Sequence, residues 1–226
     1  MAIGVGFTAM ISRSIGAEDL QRAKDLMRQA LLVVVALGLP LMCLLLLLAE
    51  KIPLWMGAQA EILPDAAVYN RIIAASLIFR TMSMIITSIM RGYGDTKTPM
   101  FVNIGVNIVN VIGNFLLIYP TRTMSLFGME FTMIGAGWGV AGAAAATSGS
   151  ATIGALIMLA VLFLKKGPMQ LSIKGQYMPD WAILKTVFRI SLPAAFERIA
   201  MSSAGIITTS TVATLGTVAV AANSLY

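Results

Sequence analysis

The polar side chains best placed to do chemistry in this sequence lie within long apolar segments. Four asparagines follow one another at spacings of 4, 3 and 4 residues: Asn103, Asn107, Asn110 and Asn114. These spacings place all four on one face of a helix. Amide groups inside a membrane are costly unless they are hydrogen-bonded, so this face should point toward protein or a water-filled cavity. Two hypotheses stay open, hydrogen bonds between helices or the wall of a transport pathway.

Two charged residues also lie deep within such segments. Glu197 is eight residues beyond Arg189, about 12 Å further along a helix, and a carboxylate at that depth is a candidate functional group. It either binds a coupling cation or forms an ion pair with Arg80, Arg198 or a helix from elsewhere. Arg80 lies about 16 Å from Arg91, too deep to reach the membrane surface easily, which predicts a cavity or a counter-charge beside it.

The groups required for most catalysis and metal binding are missing from the sequence. It has no His and a single cysteine, Cys43. The common zinc sets and the Ser–His or Cys–His catalytic groups therefore cannot be built from this chain. No paired acids or nucleophile–base set occurs in the apolar segments either. We predict that the protein is not an enzyme and that it holds no metal and no cofactor.

The elements that must position these residues are apolar helices. Of the 226 residues, 58% are hydrophobic and 12% are charged, whereas a soluble domain has about 45–50% and about 25%. The net charge of +6 does not indicate a nucleic-acid partner, because the basic residues do not cluster on one element. The expected partner is the lipid bilayer, crossed by spans at roughly 30–49, 67–90, 99–119, 134–164 and 187–210.

The basic residues predict how these spans are oriented. Lys and Arg number four, one, two, one, five and none in successive connections: 12–28, 50–66, 91–98, 120–133, 165–189 and 211–217. This alternation fits the positive-inside rule with every span crossing once. It predicts a multi-pass protein of the plasma membrane with 12–28, 91–98 and 165–189 in the cytoplasm. The chain also begins and ends in apolar segments, 1–11 and 218–226, which predicts a fragment of a longer transporter that does not transport alone.

A row of small residues predicts close helix packing. Gly142, Ala146, Ser150 and Gly154 recur at every fourth position. Such a ridge lets a second helix approach closely. The nearby glycines also spell a dinucleotide-binding pattern, but the strand that must precede that motif is missing. We therefore interpret the row as a packing surface.

Several short motifs together resemble the multidrug and toxic compound extrusion (MATE) family of transporters. Each is short, but their order and spacing run over nearly the whole chain. They are Ser12 to Asp19, Arg91 to Pro99, Asn110 to Tyr119 with Gly139 to Ala144, and Leu192-Pro193 with Leu215-Gly216 and Ala219 to Asn223.

The resemblance implies an all-α membrane bundle of two six-helix lobes around a central cavity. Residues 1–164 would form the first lobe without its first helix, 165–186 a cytoplasmic linker, and 187–226 the start of the second lobe. The missing remainder of the transporter would be a partner of this chain. The implied activity is export of organic cations or other amphipathic compounds in exchange for Na⁺ or H⁺, by alternating access.

The same resemblance assigns roles to individual residues. Glu197 would bind the coupling ion, and four residues would line the substrate cavity: Arg80, Asn107, Asn110 and Asn114. Some members carry an acid at the position of Asn114, so a carboxylate proton site is not expected there. Others carry the acid of the seventh helix one turn further along, at the position of Met201.

Two other functions remain as alternatives. A flippase for lipid-linked sugars, from the same wider superfamily, would favour a more cationic cavity, and Arg80 is the residue that hints at it. A membrane-embedded assembly subunit would show no ion-coupled flux, and neutralising Glu197 would then change only stability.

Overall fold

Helices make up most of the chain. The computed structural model describes residues 2–126, 129–164, 170–171 and 178–213. Its elements in chain order are α1 (Ala2–Gly16), α2 (Leu20–Leu48), α3 (Lys51–Trp55), α4 (Leu63–Ala75), α5 (Leu77–Gly92), α6 (Lys97–Ile118), β1 (Pro120–Leu126), β2 (Met129–Ala136), α7 (Gly139–Leu164) and α8 (Trp181–Ala213).

The long helices have the dimensions of membrane spans. Within the described residues, α2, α6 and α7 are each long and apolar enough to cross a bilayer, and α4 with α5 forms a fourth, bent candidate. The predicted helical membrane bundle is confirmed. Helix α8 has 33 residues and carries Glu197 and Arg198 in its middle, and it is not among the candidate spans of the described residues.

The span predicted at 67–90 is not one straight helix. Helix α4 ends at Ala75 and α5 begins at Leu77, with a bend of 41° between them. At the junction the Ser76 hydroxyl donates to the Ile73 carbonyl over 2.9 Å. A serine that bonds back to a carbonyl in this way competes with the helical ladder and bends the helix.

The span predicted at 134–164 begins later, because a hairpin occupies its start. Strands β1 and β2 pair antiparallel, from Pro120 opposite Ala136 to Leu126 opposite Met129. Gly135 packs directly against the Tyr119 carbonyl, where a side chain would not fit. Gly137 and Gly139 have φ of +68° and +54°, a region that favours glycine and ends helices. The helical bundle therefore carries one hairpin, and α7 begins at residue 139.

The connection predicted at 165–186 is shorter than expected. Helix α8 begins at Trp181, so residues 181–186 are helical. The Asp180 carboxylate caps this start by accepting from the backbone N–H groups of Ala182 and Ile183, over 2.8 and 3.3 Å. Residues 165–169 and 172–177 of the connection lie outside the described residues. So do the predicted helix start at 218–226 and the motif residues 215–223.

Helix α1 lies at the centre of the packing, against α2, α5 and α8. Its Gly4 touches Ser88 of α5, and Ile11 touches Gly92. The Thr8 hydroxyl donates to the Ser88 carbonyl over 2.9 Å. The surrounding core is apolar and fully buried, with its largest side chains at Phe7, Ile11, Leu26, Met27, Ile86, Ile89 and Met90.

The row of small residues on α7 packs against α6, as predicted. Gly142 touches the carbonyl of Leu117, and Gly154 touches the side chain of Val106. Between these contacts, Gly113 of α6 faces Ala146. The two backbones approach this closely because Gly113, Gly142, Ala146 and Gly154 carry no large side chain.

Connections that carry the basic residues meet at one end of the bundle. The Ser12 hydroxyl, near the end of α1, donates to the carbonyl of Gly92 at the end of α5, over 2.8 Å. The starts of α2 and α8 share a small cavity that Asp19, Arg22 and Asp180 line. Elsewhere, Arg71 of α4 pairs with Glu50, which lies between α2 and α3.

Candidate functional site

A cavity of about 750 Å³ opens among α1, α5, α6, α7 and α8. Its size falls within the range of about 300–1,000 Å³ that is usual for small-molecule sites. The polar groups in its wall are three arginines, an amide and several hydroxyls: Arg80, Arg91, Arg198, Asn103, Thr8, Thr81, Ser83, Thr87 and Ser88. Apolar contacts come from Val5, Ala9, Met84, Val106 and Ala151.

Helix α5 supplies most of this polar wall through its helical spacing. Arg80, Thr87 and Arg91 are separated by seven and four residues, so they lie on one face of the helix. That face turns toward the cavity because the opposite face, with Ile85, Ile86 and Ile89, is buried in the core. The bend at Ser76, one turn before Arg80, sets the direction in which α5 enters the bundle.

The three arginines bring positive charge to the wall of the cavity. Among the described residues, none of Arg80, Arg91 and Arg198 forms an ion pair, and no acidic side chain lines the cavity. Guanidinium groups remain charged and offer several donors each, which suits them to planar anions such as carboxylate and phosphate. The described wall can therefore hold an amphipathic molecule, with its polar part at the arginines.

Glu197 stands apart from this wall. Its side chain is exposed on α8, and among the described residues it forms no ion pair with Arg80 or Arg198. Neighbouring residues on a helix point about 100° apart. Arg198 therefore turns into the cavity while Glu197 does not.

The asparagine face divides into two parts. Asn103 lines the cavity, and Asn107 is exposed. The Asn110 amide donates to the hydroxyls of Thr147 and Ser150 on α7, over 3.4 and 3.3 Å. Asn107, Asn110 and Asn114, which were all predicted to line the substrate cavity, are not among the residues of this wall.

Asn114 completes the network between α6 and α7. Its amide donates to the Asn110 side-chain oxygen over 3.1 Å. Its own Oδ1 is buried and accepts no hydrogen bond from the described residues. This oxygen is a free acceptor beside the network, available to a cation or to a donor from outside the described chain.

The sequence predicted a cavity or a counter-charge beside Arg80, but it did not indicate that Arg91 and Arg198 lie in the same wall. The shared face of Arg80, Thr87 and Arg91 on α5 was available in the spacing. Arg198 could be placed only with the packing of α8 against α1. Within the described residues there is no group of three His, Cys, Asp or Glu side chains that could hold a metal ion.

The chain resembles known transporters in sequence and in structure. The profile of the MatE family matches residues 1–116. The uncharacterized transporter YisQ of Bacillus subtilis is 28% identical over 214 residues, which cover 95% of this chain and 44% of YisQ. The probable multidrug resistance protein NorM of Thermotoga maritima is 29% identical over 203 residues, which cover 90% of this chain and 41% of NorM.

A solved structure extends the likeness to the fold. A crystal structure of MATE in complex with MaD3S matches with a TM-score of 0.84 and 26% identity, over 99% of this chain and 47% of that one. The chain thus spans somewhat less than half the length of the curated relatives it matches. Since the family profile covers 116 of the 226 residues, the chain belongs to the MatE family.

Proposed function

We propose that this chain forms part of a secondary antiporter that exports organic cations or other amphipathic drugs in exchange for Na⁺ or H⁺. The observation that carries the proposal is the cavity of about 750 Å³. Its wall contains residues from both sides of the connection between α7 and α8. Arg80 lies before that connection and Arg198 after it. Alternating access requires a site between two bodies that rock against each other.

The relatives support the transport part of this proposal. NorM is named a probable multidrug resistance protein, and proteins from several Staphylococcus strains are named multidrug export protein MepA. We carry this activity to the present chain together with a multi-pass position in the plasma membrane. The basic connections 12–28, 91–98 and 165–189 would face the cytoplasm.

Glu197 remains our proposed site for the coupling ion. It is the single acidic residue of α8, and it precedes Arg198, which lines the cavity. A carboxylate there can bind Na⁺ or H⁺ and so bias the conformation that accepts substrate. Asn114 would add its free buried oxygen on the side of α6, while Asn107 and Asn110 would act at the edge of the site.

The test is efflux of ethidium from vesicles that carry the protein expressed from its complete gene. Either a Na⁺ or a pH gradient should drive efflux, and Glu197→Gln should lower the rate by about tenfold or more, as expected for loss of an essential charge. Glu61→Gln, which neutralises an exposed acid between α3 and α4, should leave the rate unchanged. Unchanged efflux in Glu197→Gln would place coupling elsewhere.

The three arginines favour a second candidate, the transport of an anionic lipid-linked sugar. An organic cation would be repelled by a wall that holds Arg80, Arg91 and Arg198 without a described acid. The two candidates differ in how the protein responds to Arg80→Gln. The antiporter should tolerate this change or export ethidium faster, whereas a flippase should lose movement of a pyrophosphate-linked lipid. Absence of any flux would favour the assembly subunit.

A further inference from the structure

The buried side chain of Gln29 in α2 forms two hydrogen bonds with the segment that leads into α8. The Gln29 side-chain amide donates to the Met178 carbonyl over 2.6 Å. Its oxygen accepts from the backbone N–H of Asp180 over 3.1 Å. Gln29 is 5% exposed, and both bonds are partly buried. A single amide thus satisfies two backbone groups that are two residues apart.

The segment bonded to Gln29, residues 178–180, determines where α8 begins. The carboxylate of Asp180, whose backbone N–H Gln29 holds, accepts from the N–H groups of Ala182 and Ile183 in the first turn. A side chain that caps a helix in this way fixes its first residue and its starting direction. Gln29 therefore connects α2 to the start of α8 through one short path of hydrogen bonds.

Helix α8 packs against α1 through one face of its first part. Val187 and Ser191 are 2% and 3% exposed, and both touch Gly6 of α1. We call this contact of Gly6 with Val187 and Ser191 the α1–α8 seam. Beyond it, Leu192 and Phe196 are exposed, and Arg198 lines the cavity.

We infer that Gln29 is a positioning residue that anchors the start of α8, so that the helix pivots there while the α1–α8 seam opens and closes. This inference rests on the proposed alternating-access function. Gln29 bonds to backbone groups of the connection before α8 and not to side chains of α8. The body of the helix can therefore tilt without breaking the two bonds. The seam contains Gly6 and the Ser191 hydroxyl, which bonds to no described residue. Few interactions would therefore keep the seam closed once the two hydrogen bonds of Gln29 are lost.

The test measures how fast a thiol in the seam reacts. Cys43→Ser first removes the native cysteine, which is exposed. Ser191→Cys then places a thiol in the seam at a position where the native hydroxyl bonds to no described residue. A small methanethiosulfonate reagent reports its exposure in membranes from cells that express the complete gene.

Gln29→Met keeps the size of the side chain but removes both bonds. We expect the thiol at position 191 to react about tenfold faster in this variant, as the loss of two ordinary hydrogen bonds allows. Gln21→Met is the matched control, because Gln21 lies on the same helix and, among the described residues, its side-chain amide donates to Asp25 over 3.4 Å and not to the segment before α8. It should leave the rate unchanged.

A second reporter separates a local anchor from general loosening. Ser148→Cys places a thiol on α7, where Ser148 is 8% exposed, and its rate should not respond to Gln29→Met. Equal acceleration at both reporters, or no acceleration at position 191, would overturn the inference. Ethidium efflux is measured in the same membranes. If no variant exports the dye but position 191 still responds to Gln29→Met, the proposed function fails and the anchor stands.

Discussion

Asn110 is the residue that joins α6 to α7 through side-chain hydrogen bonds. It donates to Thr147 and Ser150 and accepts from Asn114. Hydrogen bonds between membrane helices contribute about 0.6–2 kcal/mol each. We therefore expect Asn110→Ala to lower the free energy of unfolding by about 1–3 kcal/mol, measured as thermal unfolding in detergent.

The control for this prediction is Asn107→Ala. Asn107 has the same side chain on the same helix, but it is exposed and forms no side-chain hydrogen bond that the described residues record. Its replacement should change stability by less than about 0.5 kcal/mol, as is usual for a position without such contacts. Equal losses in the two variants would mean that the bonds of Asn110 contribute nothing specific.

Spacing alone could not distinguish these asparagines. The repeat of 4, 3 and 4 predicted a shared face, and both hypotheses for that face then stayed open. In the structure, different parts of this face have different roles. Asn110 bonds to the hydroxyls of Thr147 and Ser150, whereas Asn103 lines the cavity. The neighbouring helix, which the repeat does not encode, decides which use each amide has.

At the scale of elements, the α6–α7 contact depends on the absence of one side chain. A Cβ at Gly142 would overlap the Leu117 carbonyl. The backbone of α6 cannot shift to relieve this overlap without a cost in free energy. We expect Gly142→Ala to destabilise the protein by about 1–3 kcal/mol, the usual cost of overpacking. Thermal unfolding in detergent measures the effect.

Gly149→Ala provides the comparison on the same helix. A Cβ there would meet no atom within 4 Å, and alanine is a better helix former than glycine by about 1 kcal/mol. This variant should therefore be as stable as the native chain or more stable. If Gly149→Ala lost as much stability as Gly142→Ala, the loss at Gly142 could not be attributed to its contact with Leu117.

The element boundaries show where sequence patterns stopped being informative. The apolar run at 67–90 predicted one span, but the back-bond of Ser76 divides it into α4 and α5. The hairpin at 120–136 contains Thr, Phe and Ile residues, which are typical of strands. Its apolar end, from residue 134, nevertheless falls within the span that the sequence predicts at 134–164. Positive φ at Gly137 and Gly139 is a property of the backbone that composition does not express.

For the whole molecule, the testable consequence is its orientation in the membrane. Thr132 lies in the hairpin and Lys97 at the start of α6, at the other end of that span, and both are exposed. With Cys43→Ser as background, a membrane-impermeant thiol reagent should label Thr132→Cys in intact cells. Lys97→Cys should be labelled only after permeabilisation, because basic connections stay in the cytoplasm.

The opposite labelling pattern would contradict the predicted orientation. Labelling of both cysteines in intact cells would mean that α6 does not cross the membrane. The wild-type sequence supplies its own check on the background, since Cys43 lies within the apolar part of α2 and an impermeant reagent should label it slowly.

The sequence by itself determined the class of molecule, the approximate spans and the alternation of basic connections. These properties depend on composition and on residues close together along the chain, so transfer energies and helical periodicity suffice to predict them. They also predicted a cavity or a counter-charge beside Arg80, and a packing surface along the row from Gly142 to Gly154.

Only the tertiary structure brought Arg91 and Arg198 beside Arg80, placed Glu197 outside that wall, and set Gln29 against the start of α8. Each of these arrangements joins residues that are far apart in the chain, Gln29 and Asp180 by 151 positions. Their proximity depends on which helix faces pack together, and that choice follows from the summed contacts of small residues and buried side chains over the whole bundle.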